Sequence, residues 1–126
     1  MPARVQRQMT NVVVDDLDAH KRFFTKLFAF NVDYDSEWFV HLISEGRDLE
    51  LGLIRRGHDV VPADANTATG GVYLTFVVDD VDALFAEVST GVDVIEGPHD
   101  TFYGQRRLLL RAPGGSVVDV SSPTAS

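Results

Sequence analysis

The chain has 126 residues, 44% of them hydrophobic and 24% charged, which fits one globular domain with a core of its own. It has no cysteine, which excludes disulfides, thiolate metal sites and a cysteine nucleophile, and its formal charge of −8 opposes binding to nucleic acid, whose phosphates need a basic face. No run is long enough for a membrane span and residues 1–11 lack a signal peptide's apolar segment, so membrane is excluded as a partner and the cytoplasm is the expected location.

Acidity keeps a protein soluble, and it also suits a cationic or electron-poor ligand. Arginine outnumbers lysine nine to two, a bias that by itself assigns no function.

In chain order, the first strong signal is a repeat. Val13, Val14, Asp15, Asp16, Leu17, Asp18 and Ala19 return 64 residues later as Val77, Val78, Asp79, Asp80, Val81, Asp82 and Ala83, identical at six of seven positions. In each copy an apolar β-branched run meets an aspartate able to cap a helix, with a second aspartate in the first turn, where the helix dipole favours it. Asp16 and Asp80 are the predicted N-caps. A first helix is predicted over 17–28, with Leu17, Phe23, Phe24, Leu27 and Phe28 as its apolar face. The second, over 81–89, carries Val81, Leu84, Phe85 and Val88 at helical spacing. Three strand-like runs follow each helix, over 30–35, 38–43 and 48–54 in the first copy and 92–95, 104–111 and 116–121 in the second.

A second echo closes each copy, where Gly46 through Leu51 aligns with Gly115 through Val120 and places Glu50 opposite Asp119. The reading is one domain, 1–126, with module one at about 5–55, a linker over 56–70 rich in turn residues, and module two at about 71–122. The fold class is α+β: two tandem βαβββ modules forming a curved mixed sheet, helices on the convex side. Alternation along a strand sets Glu50 against Leu49 and Leu51, and Asp119 against Val118 and Val120. By parity and repeat, Glu50, Asp119, Tyr73 and Met9 share the concave face.

These features, with the Phe23–Phe24 to Phe28–Ala29–Phe30 helix exit and the ending Tyr103–Gly104–Gln105–Arg106–Arg107 to Ala112–Pro113–Gly114–Gly115–Ser116, make the chain resemble the vicinal oxygen chelate (glyoxalase and bleomycin-resistance) superfamily over nearly its whole length. The resemblance implies a metal-ligand position on the first and last strand of each module, commonly two histidines and two glutamates. Those positions here hold Met9, Glu50, Tyr73 and Asp119. A thioether and a phenol are poor ligands for a hard or borderline divalent ion, so no metal and no cofactor are expected. Ala29 and Ala112 stand where the family commonly has glycine and aspartate.

Two functions stay open. The first is a binding protein of the drug-sequestering type, holding a small aromatic or cationic molecule without a catalytic metal. Its expected ligand-binding residues are Trp38, Glu50, Tyr73, Tyr103, Asp119 and Met9. Aromatic faces attract planar or cationic ligands, and the carboxylates would supply countercharge. Trp38, Phe39 and Phe102 equally fit core or dimer contacts. The second is a metal-independent or weakly metal-dependent lyase or isomerase, with Glu50 and Asp119 sharing acid and base roles and His41 as a further candidate. The other histidines, His20, His58 and His99, read as ordinary hydrogen-bonded or solvated side chains. A homodimer is expected, because family members commonly pair modules between chains and exposed module edges would be covered by pairing.

Overall fold

The computed structural model describes residues 4, 6–67, 73–88 and 90–124. The elements run β1 (Thr10–Val14), α1 (Leu17–Phe28), β2 (Asn31–Asp35), β3 (Phe39–Ile43), β4 (Glu50–Arg55), α2 (Ala63–Thr67), β5 (Leu74–Val77), α3 (Val81–Glu87), β6 (Asp93–Asp100), β7 (Gln105–Arg111) and β8 (Val117–Pro123). The chain divides into two compact units, 1–68 and 69–126. Each holds one four-stranded mixed sheet, in the orders β1-β4-β3-β2 and β5-β8-β7-β6, so the two tandem βαβββ modules are the architecture.

Local chemistry explains the helix starts. Asp16 and Asp80 are extended, and each carboxylate accepts the backbone N–H three residues on, from Ala19 and Ala83. α1 ends at Ala29, which takes the left-handed conformation (φ 56°) that glycine adopts without cost.

In unit one, α1 buries Leu17, His20, Phe23 and Phe24 and packs on β4 and β3. Leu51 and Leu53 on β4 pair with Leu42 and Val40 on β3, so the four share one sheet face, all buried; the residues between them, His41 and Gly52, are buried on the other face. In unit two the corresponding core is Leu108, Leu110, Val118, Val120 and Val81. His20 belongs to this helix side, where its Nδ1–H donates to the Asp16 carbonyl at 2.8 Å.

Beyond shifts of one or two residues at strand ends, three features differ from the sequence expectation. β6 runs to Asp100 rather than stopping at 95, through Gly97 and Pro98. It is an edge strand, where a missing N–H is tolerated, and register shifts between Val94 and Glu96 and between Glu96 and His99 absorb the irregularity. A short helix, α2, lies inside the predicted linker. α3 ends at Glu87, with Val88 as its cap, and residue 89 lies outside the described residues.

Candidate functional site

On β3 and β4 the directly paired residues His41 and Gly52 share the face opposite the core leucines, together with Glu50, Phe39 and, from β1, Asn11. This face carries a chain of polar contacts that runs from Arg7 through Glu50, His41 and Asp33 to Arg47. The His41 ring is buried, with Nε2 2.7 Å from Glu50 Oε1 and Nδ1 3.0 Å from Asp33 Oδ2. Arg7 grips Glu50 in a bidentate pair, Nε to Oε2 at 2.7 Å and Nη2 to Oε1. Arg47 reaches Asp33 Oδ1 at 3.3 Å. The Arg7 hydrogen bonds, with a smaller contribution from His41, outweigh desolvation and hold the Glu50 carboxyl down at about 2. Hydrogen bonds from His41 and Arg47 lower Asp33 as well. A carboxylate held this far down is a weak base.

Unit two solves the same problem differently. Asp119 is buried on the face opposite Val118 and Val120, and three donors meet it: Thr75 Oγ1 to Oδ2 at 3.0 Å, with Ser121 Oγ and Arg107 Nε to Oδ1, both at 3.1 Å. Burial pulls the Arg107 guanidinium down, but Asp119, Tyr103 and Tyr73 together raise it above its ordinary value. The last two are the aromatic residues expected from sequence, and both lie within electrostatic reach of this arginine.

In sequence Glu50 aligns with Asp119 as the matching carboxylates of the two modules. Each has a guanidinium of its own module, and the symmetry also differs. Asn11 and Thr75 are repeat equivalents, yet Asn11 stands beside Gly52 whereas Thr75 stands beside Asp119. The turns agree. Left-handed Arg47 and Gly115 each donate their N–H to the carbonyl three residues back, and the next ladder pairs are Ile43–Glu50 and Arg111–Val117. Glu50 therefore corresponds to Val117, and Asp119 to Gly52.

Trp38 stacks on His58, with ring centroids 4.0 Å apart and planes 8° from parallel, so one indole face already has a partner. Tyr103 sits with Phe102 in the β6–β7 turn, in an edge-to-face pair at 5.2 Å, and Phe102 is 99% exposed. Tyr73 is exposed and Met9 half-buried, each just ahead of the first strand of its module. Residues the sequence reading missed are Arg7, Asp33, Arg47 and Arg107. Only Arg107 carried a usable signal, since strand alternation sets it against the core residues Leu108 and Leu110.

These donors do not fit a divalent metal. Glu50 and Asp119 are already engaged by arginines, Met9 and Tyr73 offer sulfur and phenol, and among the described residues no group of three or more histidine, aspartate or glutamate side chains is placed to hold an ion.

The glyoxalase/bleomycin resistance protein/dioxygenase superfamily profile matches residues 6–120, and the chain belongs to that superfamily. Among solved structures, TnmS3, an antibiotic binding protein from Streptomyces sp. CB03234, is 26% identical with a TM-score of 0.74, covering 98% of this chain and 100% of that one. A glyoxalase/bleomycin resistance protein/dioxygenase family enzyme from Burkholderia phytofirmans PsJN shares the fold at 22% identity and a TM-score of 0.76, covering 92% of this chain and 97% of its own. UcmS2 does so at 17% identity and a TM-score of 0.76, covering 94% and 98%. No curated protein matches the chain significantly in sequence.

Proposed function

We propose that this superfamily member is a cytoplasmic binding protein for a small aromatic or cationic molecule, of the drug-binding or sequestration type, acting without a catalytic metal. The observation that carries the reading is the engagement of both candidate carboxylates, Glu50 by Arg7 and His41, and Asp119 by Arg107. Charges neutralised in this way serve to fix a binding surface better than to coordinate an ion or to take a proton. The likeness to an antibiotic binding protein over nearly the whole of both chains supports the same reading.

The contributing side chains are, in unit one, Trp38 as an aromatic surface, Glu50 as a polar anchor and Met9 as an adaptable apolar contact, and in unit two, Tyr73 and Tyr103 as aromatic surfaces with Asp119 as the polar anchor. A homodimer is part of the proposal. β2 is an edge strand exposed at every residue, and β5, also at an edge, leaves Val77 71% exposed. Calorimetry with a panel of planar aromatic compounds, neutral and charged, tests the reading. Binding in the micromolar range that Trp38→Ala and Tyr103→Ala weaken is the expected result, and no binding below millimolar contradicts it.

A lyase or isomerase using Glu50 and Asp119, with His41 between two carboxylates as proton carrier, is the second reading. The low Glu50 pKa of about 2 weighs against it. Deuterium incorporation into small α-hydroxy carbonyl compounds, abolished by His41→Gln, would establish it.

A further inference from the structure

The binding reading leaves the ligand's polarity open, and unit two bears on it. Resting on that reading, we infer that Arg107 is the ligand-recognition group of this face, and that its ligand is a planar aromatic bearing an anionic or strongly accepting oxygen, such as a ring carboxylate, rather than a cation.

Arg107 sits on β7 across the ladder from Ser121, on the same sheet face as Thr75 and Asp119. Only its Nε is used, by Asp119. Among the described residues Nη1 and Nη2 have no partner, while the side chain remains 26% exposed. A guanidinium in this state offers a donor fork aimed by one buried carboxylate and free for a second acceptor. Asp119 itself is 8% exposed and accepts from Thr75, Ser121 and Arg107, so it orients the arginine and has little left to give a cationic ligand. Tyr73, two residues before Thr75, and Tyr103, in the turn that leads into β7, stand 57% and 52% exposed in the same unit, and they are the ring surfaces assigned to the aromatic part of the ligand. The charge of −8 acts at long range and is screened over about 10 Å at 0.1 M salt, whereas Arg107 acts at contact.

Three probes of one shape separate the possibilities: 2-naphthoate, 2-naphthylmethanol and 2-naphthylmethylammonium, titrated calorimetrically into the intact protein. Naphthoate should bind about tenfold or more tighter than the alcohol, with the ammonium weakest, because a charge-assisted fork is worth roughly that much. Arg107→Met should lower the affinity for naphthoate about tenfold or more and that for the alcohol several-fold less. The wild-type protein supplies a readout that needs no variant: the naphthoate-to-alcohol ratio should shrink as salt rises from about 0.02 to about 0.3 M. Equal affinities, tightest binding of the ammonium, a salt-independent ratio, or equal loss of acid and alcohol in the variant would overturn the inference while leaving aromatic binding intact. Absence of binding by all three would overturn the binding reading and this inference with it.

Discussion

Glu50 is where charge, burial and fold meet most tightly. Its folded pKa of about 2 lies below the ordinary carboxylate value of 4.5, so its ionised form stabilises the fold. That contribution is complete above the ordinary value and is lost as pH falls through the folded one. Asp33, also lowered, acts with the same sign. Melting temperatures taken between pH 5 and pH 2.5 should fall more steeply for the wild type than for Glu50→Gln; parallel curves would show that the Arg7 pair contributes nothing to folding. Carboxyl NMR titration supplies the complement, since Arg7→Met should raise the Glu50 midpoint toward the ordinary range. Arg7 was invisible in the sequence because it precedes β1 and meets its partner 43 residues away. The burial of His41 was equally hidden, because the parity of β3 follows from its pairing with Gly52, which no local pattern encodes.

At the scale of elements, the two modules differ in how much they rest on their caps. α1 has twelve residues and four buried side chains, whereas α3 has seven residues and buries only Val81. Asp80→Ala should cost about 1 kcal/mol, the usual worth of an N-cap, and should shorten α3 more than Asp16→Ala shortens α1, as read by urea unfolding and amide exchange. Gly52 gives a second test. A methyl group there would lie 2.2 Å from Asn11 Oδ1 and 2.9 Å from the Phe39 ring, so both neighbours must move. Gly52→Ala should destabilise by about 1–3 kcal/mol, the range for overpacking, and adding Asn11→Ala should recover part of the loss. Additive losses would mean that the Asn11 clash is not the cause.

The helices were legible because each begins with an aspartate cap and carries an apolar stripe. β6 was not, because Gly97–Pro98 reads as a strand end and only its edge position lets the strand continue. The module ends misled for a related reason. Gly46 and Gly115 look equivalent, but the left-handed residue in the first turn is Arg47, which shifts the true correspondence of Glu50 to Val117.

For the whole molecule, the repeat was enough to set the architecture, since each module needs its own helix to cover one sheet face and the sequence shows both helices. Function was less legible, because it depends on which carboxylates are neutralised, and the arginines that do so were recognisable only once the strands were paired. The assembly expectation is tested by sedimentation, which should give a dimer at micromolar concentration; a monomer would leave the exposed β2 and β5 edges without the partner proposed for them. The central claim is metal-free binding of a planar small molecule, and the most direct measurement is calorimetric titration of 2-naphthoate before and after chelator treatment and after loading with zinc or nickel. An affinity unchanged across all three states is the predicted result. Binding that disappears with chelator and returns with metal would contradict the account.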